Sequence, residues 1–404
     1  MNNRDMPENT KKSFLTTFWA EFLETSRSNI RQYTMIAALL IIWLIFSILT
    51  KGLFITPRNL SNLFLQMCTI GIMTSGMLLV MVAGHIDLSI GSVCGTLGAL
   101  AAYLMTRMGL HPIIAISATL VAGFLVGAWH GYWVAYRGVP AFIATLSSMI
   151  AFKGFTLFIT KGKTIGEFPA FFKGIGQGYI PQIVFPEASF HDLTLAVFVI
   201  SIALFIVMAI RKRNKRIANG FKVLPISLEI AKIVVTSAGI AVVGYVLSSY
   251  RGMPYAILIL SAVVIIFSVI TTRTPFGRHV YAIGGNSEAA KLSGVNTKKT
   301  LLMIFMAMGT LCGVASVVFT ARLNAATTAA GSLFELDTIA ACIIGGTSTT
   351  GGIGTVFGAI IGALVMASLD NGMSLMNVEI MYQYIIKGAI LLLAVWIDIA
   401  NRKK

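Results

Sequence analysis

Two ionisable residues stand close together in the segment GHIDLSIGS (84–92), between two long apolar stretches of the chain. They are His85 and Asp87. An unpaired carboxylate at membrane depth is costly, so Asp87 is a candidate for function. The two side chains are two positions apart, which in a helix points them to different faces. This spacing argues against a catalytic or metal-binding pair.

Three roles stay open for this segment. Asp87 or Ser89 can cap a helix that starts near Ile90, by accepting hydrogen bonds from its first N–H groups. The segment can also line or gate a pathway through the membrane. Finally, Asp87 can bind and release a proton, which would make the protein a proton-coupled transporter. The pathway or gate candidates here are His85, Asp87, Ser89 and Gly91.

The glycine cluster GGTSTTGGIG (345–354) is the second candidate. It lacks the lysine of the phosphate-binding motif GxxxxGK[ST], so we expect no nucleotide site in this chain. We also expect no catalytic residue, bound cofactor or metal site. The cluster fits a break between two short helices, which is tolerated where backbone is buried in protein or lines a water-filled cavity. Asp337 and Asp370 flank it and are expected to be caps or interface residues. Its pathway or gate candidates are Gly345, Gly346, Asp370 and Asn371.

The stretch TPFGRHVYAIGGNSEAAKLSGVN (274–296) is a polar island between apolar runs. Its centre predicts a two-turn helix that Asn286 or Ser287 caps, with Glu288 at the positive end of the dipole and Gly294 in the left-handed closing position. A small face for close approach would then consist of Ala289, Ala290 and Leu292. Two interpretations stay open: a docking site for a partner, or an ordinary connector.

The chain as a whole has the composition of a protein that crosses a membrane many times. Of its 404 residues, 56% are hydrophobic and 11% are charged, against about 25% charged in soluble domains. The mean hydropathy is +0.84. Four cysteines stand singly in apolar runs, without the spacing of metal ligands or of a disulfide framework. We expect an all-α polytopic bundle of 10–12 transmembrane helices.

The predicted domain organisation is one transmembrane domain (33–398) between two tails. The amino-terminal tail (1–32) contains an amphipathic pattern typical of an interfacial helix, and the carboxyl-terminal tail (399–404) is basic. The apolar run at 337–348 is too short for a span and predicts a half-helix or re-entrant segment. The main predicted loops are an external loop (161–192), a basic cytoplasmic loop (211–222) and a cytoplasmic loop (273–299).

The net charge of +16 is explained by membrane topology. If the amino terminus is cytoplasmic and the sides alternate, most basic residues fall on the cytoplasmic side, as the positive-inside rule requires. Both termini and the stretch 274–296 are then cytoplasmic, and no nucleic-acid partner is needed. No cleavable signal peptide is evident, because the first apolar run begins near Tyr33.

Glycines that recur every four residues predict close helix packing in lipid. The intramembrane lysines are expected to extend toward lipid headgroups, and Glu229 can pair with Lys232 one turn on. The glycines are Gly123, Gly127, Gly131, Gly354, Gly358 and Gly362, and the lysines are Lys153, Lys232 and Lys387.

With these motifs in place, the sequence resembles the permease subunits of bacterial ABC importers for ribose, xylose, arabinose and galactose. The resemblance covers nearly the whole chain, and GAWHGYWVAYRGVPAFIATL (127–146) is most similar to the xylose or multiple-monosaccharide branch. His85 stands where a small residue is usual in ribose-type relatives. The other motifs that carry the resemblance are IDLSIGS, GGNSEAAKLSG, GGTSTTGGIGTVFGAIIGA, LDNGMS and YIIKGAILLLAVW.

The resemblance implies a homodimer in the bacterial inner membrane, with the pathway between the two copies. It also implies a periplasmic or lipid-anchored sugar-binding protein outside and an ATPase subunit, which binds ATP and Mg²⁺, inside. Carried onto this chain, the ATPase-coupling positions are Gly277, Arg278, Gly284, Gly285, Asn286, Glu288, Ala289, Ala290, Leu292 and Gly294. The function that follows is import of a monosaccharide of the xylose, galactose, glucose or arabinose type. The main alternative is a proton-coupled sugar symporter that uses Asp87.

Overall fold

The computed structural model describes residues 30–184, 190–221, 223 and 225–402. The predicted amphipathic helix in the tail lies outside these residues. The helices are α1 (Ile30–Leu49), α2 (Pro57–Val82), α3 (Ile90–Thr106), α4 (Pro112–Ala135), α5 (Ala141–Thr160), α6 (Ala170–Gln177), α7 (Asp192–Ala218), α8 (Ile226–Ser248), α9 (Tyr255–Arg273), α10 (Pro275–Gly285), α11 (Ser287–Leu292), α12 (Thr297–Leu323), α13 (Phe334–Ile344), α14 (Val356–Leu375) and α15 (Ile380–Arg402). Two short strands, β1 (Ile165–Gly166) and β2 (Ala325–Ala326), pair antiparallel.

Nine of the described helices are long and apolar enough to cross a membrane: α2, α4, α5, α7, α8, α9, α12, α14 and α15. Two further apolar helices are shorter, Thr34–Leu49 within α1 and Ile90–Thr106, which is α3. Together they make eleven, within the predicted range. The predicted fold class, a polytopic helical membrane bundle, is confirmed.

The centre of the bundle consists of α2, α12 and α14, which are largely buried. Glycine spacing brings α4 onto α12, because a Cβ on Gly127 would lie 2.8 Å from the Cα of Met306. In turn, a Cβ on Gly309 would lie 2.7 Å from the backbone nitrogen of Gly127. The predicted close packing of the first glycine series is confirmed. In the second series, Gly358 and Gly362 lie against the backbone of Gly345 and Ala341, whereas Gly354 lies in a loop.

The hairpin of α7 and α8 lies at the periphery, with most of both helices exposed. The helix α7 continues through Ala218, so most of the predicted basic loop 211–222 is helical. The expected pair of Glu229 with Lys232 is wrong: the Oε2 of Glu229 lies 3.7 Å from the Nη1 of Arg213 on α7. The antiparallel hairpin brings this arginine closer than the lysine one turn along α8.

The bundle has two distinguishable ends. We call the end that carries α10 and α11 the α10 end, and the end where β1 pairs with β2 the β end. The helix α9 joins them: the N–H of Tyr255, its first residue, donates to the carbonyl of Gly178 at 3.0 Å, next to α6. Its last residue, Arg273, leads directly into α10. Each functional residue below is placed at one of these ends or between them.

Candidate functional site

The short helix α11 at the α10 end is closed at both of its termini by local chemistry. Of the two predicted caps, Asn286 is the one used: its Oδ1 accepts a hydrogen bond from the N–H of Ala289 at 3.0 Å. Glu288 is exposed in the first turn. After the helix, Gly294 has a φ of +85°, which is the predicted left-handed closing conformation. The predicted helix is therefore present at this position.

The outer face of α11 differs from the predicted one in one residue. Ala290 is 5% exposed and faces the bundle, so its assignment to the outer face is wrong. A helix of 3.6 residues per turn cannot present Ala289 and Ala290 on one narrow face when the second of them packs inward. The exposed apolar residue is Leu292, at 87%. No other large hydrophobic residue in the described part of the chain is as exposed.

The preceding helix α10 is wedged into the bundle through two glycines. Gly277 is buried, and a Cβ there would collide with the carbonyl oxygens of Ile270 and Thr271 on α9. At Gly284 a Cβ would overlap the carbonyl oxygen of Val82, the last residue of α2, and would lie 2.6 Å from the nitrogen of Gly352. By contrast, Gly285 faces open space and Arg278 is exposed.

A hydrogen bond ties α10 to the glycine cluster as well. The hydroxyl of Tyr281 donates to the carbonyl of Gly354 at 2.7 Å. Burial raises the pKa of Tyr281, so its hydroxyl keeps the proton that it donates at neutral pH. The N–H of Gly352 donates to the carbonyl of Val82 at 2.8 Å. The helix α10, the end of α2 and the glycine cluster therefore meet at one place.

The glycine cluster is the break between α13 and α14 that the sequence predicts. Gly346, Gly351 and Gly352 have φ values of +87°, +92° and +76°, a region that residues with a Cβ seldom adopt. Gly345 instead allows close packing, because a Cβ there would lie 2.7 Å from the Cα of Ala359. These facts explain the glycines by backbone geometry. The pathway or gate role of Gly345 and Gly346 stays a prediction.

The segment 84–89 forms a second break, between α2 and α3, and Asp87 organises it. The Oδ1 of Asp87 accepts hydrogen bonds from the N–H of Ser89 at 2.8 Å and from its hydroxyl at 2.6 Å. The N–H of Leu88 donates to the Oγ1 of Thr145 on α5 at 3.1 Å. Asp87 is 2% exposed. Ser89 occupies the N-cap position of α3 but makes no side-chain capping bond, and Asp87 bonds to Ser89 itself, so the prediction that one of them caps the first N–H groups of α3 is wrong. Asp87 instead shapes the segment before α3.

His130 on α4 is the polar neighbour of Asp87 that sequence reasoning missed. Its Nδ1 lies 3.9 Å from the Oδ2 of Asp87, and it is 2% exposed. Its Nε2 has no hydrogen-bond partner among the described residues. His85 lies near the same group, because the rings of His85 and His130 lie 6.4 and 6.5 Å from the ring of Phe305. The signal for His130 was available, since an ionisable residue within an apolar span is a functional candidate by default.

Gly91 lies in the first turn of α3, at a close contact with another segment. A Cβ there would collide with the carbonyl oxygen of Gly331 and with the Oε2 of Glu335. Only glycine therefore permits the chain before α13 to pack onto α3. This explains the residue type without assigning a gate role, which stays a prediction for Gly91 and Ser89.

Asp370 and Asn371 lie in the second half of α14, toward the β end. The Nζ of Lys387 on α15 lies 2.7 Å from the Oδ1 of Asp370 and 3.0 Å from the Oδ2 of Asp337. The Oδ1 of Asn371 accepts from the Nδ2 of Asn59 at 2.8 Å. The expectation that Lys387 extends toward headgroups is wrong, because two carboxylates on α13 and α14 hold its ammonium. These contacts join helices, and they leave the predicted gate role untested.

The fold, the contacts of α10 with the glycine cluster and the break around Asp87 define a polytopic helical permease. A profile of the family described as "Branched-chain amino acid transport system / permease component" matches residues 59–395, and the chain belongs to this family. The xylose transport system permease protein XylH of Haemophilus influenzae is 42% identical over 376 residues, which cover 93% of this chain and 98% of the relative. XylH of Escherichia coli K12 is also 42% identical, over 93% of each chain.

The ribose import permease protein RbsC of Bacillus subtilis is less similar, with 32% identity over 366 residues and 91% of each chain covered. The resemblance to monosaccharide permeases of the xylose branch is thus confirmed. Since these relatives are permeases, the chain is a multi-pass transport subunit and not itself an enzyme. No solved structure matches the chain.

Proposed function

We propose that this chain is the membrane-spanning permease subunit of an ABC importer that carries a monosaccharide into a bacterial cell across its inner membrane. Xylose is the first sugar to test, since two relatives at 42% identity are named as xylose-system permeases. Galactose, glucose and arabinose are the other substrates considered. ATP and Mg²⁺ bind to a separate ATPase, and a sugar-binding protein delivers the substrate outside.

The observation that carries this proposal is the exposed Leu292 on a capped helix. An apolar side chain that is 87% exposed gains roughly 1.5–3 kcal/mol when a partner buries it. A six-residue helix is too short to be stable alone, so its caps and its contact through Ala290 hold it in place. Such a rigid apolar projection fits a groove on an ATPase at the cytoplasmic face.

The mechanism follows from the contacts of α10. Movement of the ATPase displaces α11, and α10 transmits that displacement because Gly284 touches Val82 and Tyr281 bonds to Gly354. These contacts end at the two breaks, one after α2 and one before α14. Breaks in helices are places where a bundle can change shape without breaking many backbone hydrogen bonds. Two copies of the chain, with the pathway between them, would then open alternately to each side.

The experiment is replacement of Leu292 by aspartate in the assembled importer. A charge on this face removes the apolar contact, so we expect binding of the ATPase to weaken about 10- to 100-fold and xylose uptake to be lost. Lys298→Asp is the matched control, because Lys298 is exposed at the start of α12, outside this face. Uptake, ATPase co-purification and the amount of folded permease are measured for both variants.

Normal coupling in the Leu292→Asp variant would refute the docking role of α11. The rival function, a proton-coupled symporter that uses Asp87, predicts a different result in proteoliposomes. Such a symporter would concentrate sugar when the purified chain alone is given a pH gradient without ATP. Our proposal predicts uptake only with the ATPase, the binding protein and ATP present.

A further inference from the structure

A pocket of about 240 Å³ lies between α3, α5 and the loop that precedes α13 and is open to the surface of the chain; we call it the cavity. A single water molecule needs only roughly 10–15 Å³ of such space. The cavity can therefore hold a small polar ligand together with water. Its polar lining consists of Ser92, Lys153, Thr156, Thr328 and Ser332, and Leu157, Ala330 and Gly331 complete it.

Lys153 is the charged residue of this cavity, and it lies deep in a spanning helix. At 1.5 Å per residue it lies roughly 18 Å along α5 from Ala141 and about 10 Å from Thr160. It forms no ion pair with a carboxylate in the described part of the chain. An ammonium at this depth needs polar surroundings, and the cavity supplies them. Lys153 is exposed at the surface of the chain, so water can reach its ammonium through the open pocket.

The opposite wall is built by glycine contacts. A Cβ on Gly95 would collide with the carbonyl oxygen of Ala330, and one on Gly91 would collide with that of Gly331. These two glycines thus let the loop lie directly on α3, beside Ser92. Irregular backbone inside a bundle is tolerated where it lines a cavity. This loop lines the cavity between the start of α3 and the start of α13.

The charges and hydroxyls of the cavity suit a neutral polyhydroxyl ligand. Glu335 brings a carboxyl group close to this lining, with its Oε2 against Gly91, so the surroundings of the cavity are not purely cationic. Thr156 already bonds to Thr96 Oγ1 at 2.9 Å, whereas the hydroxyl of Ser92 has no bond within the described residues. Free hydroxyls and an ammonium can donate to, and hydroxyls can accept from, the hydroxyl groups of a sugar.

We propose that this cavity is a monosaccharide-binding station inside the permease, in which Lys153 and Ser92 hydrogen-bond to the hydroxyl groups of the sugar in transit. The assignment rests on the proposed import function. It adds a place within the chain where the sugar pauses between delivery and release.

The first test uses Leu157→Cys in the full importer, because Leu157 lines the cavity on α5 but is not one of the two proposed sugar ligands. The four native cysteines are all buried, so the introduced thiol is the accessible one in this chain. A charged thiosulfonate that does not cross membranes should modify it, and saturating xylose should slow the modification by at least about tenfold. Phe158→Cys is the matched control, since Phe158 is 79% exposed on the same helix but outside the cavity. The thiol of Phe158→Cys should stay unmodified, because the charged reagent cannot reach a helix face that lipid covers.

Absence of labelling at position 157, or labelling that neither xylose nor a related neutral monosaccharide slows, would overturn the proposal. This labelling needs no transport, so it remains informative if ATP-driven uptake fails. Conversely, normal uptake together with an unlabelled Leu157→Cys protein would reject the cavity alone and leave the import function intact.

The second test separates hydrogen bonding from packing at Lys153 itself. Lys153→Met removes the donor and should lower kcat/KM for xylose uptake about tenfold, whereas Lys153→Gln keeps a donor and should restore much of it. The amount of folded permease should be equal in both variants. Equal uptake by the methionine variant and the wild type would show that Lys153 only extends toward lipid headgroups.

Discussion

Asp87 shows how a single residue can be tested for three roles. Its Oδ1 accepts two hydrogen bonds from Ser89, and its Oδ2 lies near His130. Asparagine keeps the Oδ1 hydrogen-bond acceptor, but its side-chain amide does not bind and release a proton as a carboxylate does. We therefore expect Asp87→Asn to fold and to support uptake at about the wild-type rate. The rate of ATP-driven uptake and its pH dependence in proteoliposomes are the measurements.

The companion variant Asp87→Ala removes the acceptor. It leaves the buried N–H and hydroxyl of Ser89 unpaired, which costs about 1–3 kcal/mol of folding free energy. A lower thermal midpoint in detergent should reveal this loss, with the asparagine variant close to the wild type. Loss of uptake in Asp87→Asn at normal stability would instead support proton coupling or gating by the carboxylate.

The same residue marks a limit of sequence reasoning. The bond from Asp87 to Ser89 was predictable because it joins residues two positions apart. The approach of His130 was not, because His130 lies on α4 and Asp87 in the break before α3, and no local pattern specifies how these two segments pack. The same limit applies to Lys387, because its partners Asp337 and Asp370 lie on helices that only the folded bundle brings together.

At the scale of elements, α10 offers a matched pair of neighbouring glycines. A methyl group on Gly284 would overlap the carbonyl of Val82, whereas Gly285 has open space around its Cα. Gly284→Ala should therefore displace α10 and lower stability by about 1–3 kcal/mol or more. Gly285→Ala should be close to neutral, since nothing opposes the added methyl group. Thermal midpoints in detergent and the uptake rate test this difference.

Uptake and ATP hydrolysis by the two alanine variants also test how α10 transmits movement. If Gly284→Ala folds but uncouples ATP hydrolysis from uptake, the contact with α2 carries the displacement. Equal behaviour of the two alanine variants would contradict the close packing of α10 on Val82. Such a result would leave the hydrogen bond from Tyr281 to Gly354 as the remaining connection between α10 and the glycine cluster.

Helix ends and breaks were predictable from the sequence where the residues that specify them are close together in the chain. Asn286 and Gly294 mark the ends of α11 through their own chemistry, and the glycines at 345–354 mark a break. Which side of α11 faces water depends on α12 and the rest of the bundle, so Ala290 was assigned to the wrong face. Pairing of β1 with β2 joins segments far apart in the chain and had no sequence signal.

At the scale of the whole molecule, apolar runs were enough to give the fold class, because each span satisfies its own backbone hydrogen bonds and needs only length and hydropathy. The order of the spans in space was not available in this way. Burial of α2, α12 and α14 at the centre, and exposure of α7 and α8, depend on packing of small residues that many helices share.

The orientation of the molecule remains a prediction, and the proposed coupling depends on it. The positive-inside rule places the α10 end in the cytoplasm and the β end outside. Lys298 is exposed at the first end, and Phe171 on α6 is 58% exposed at the second. With the native cysteines buried, a maleimide that cannot cross membranes should modify Phe171→Cys in spheroplasts and Lys298→Cys only in inverted vesicles. The reverse pattern would place α11 beyond the reach of any cytoplasmic ATPase, and both the coupling role of Leu292 and the import mechanism would then be wrong.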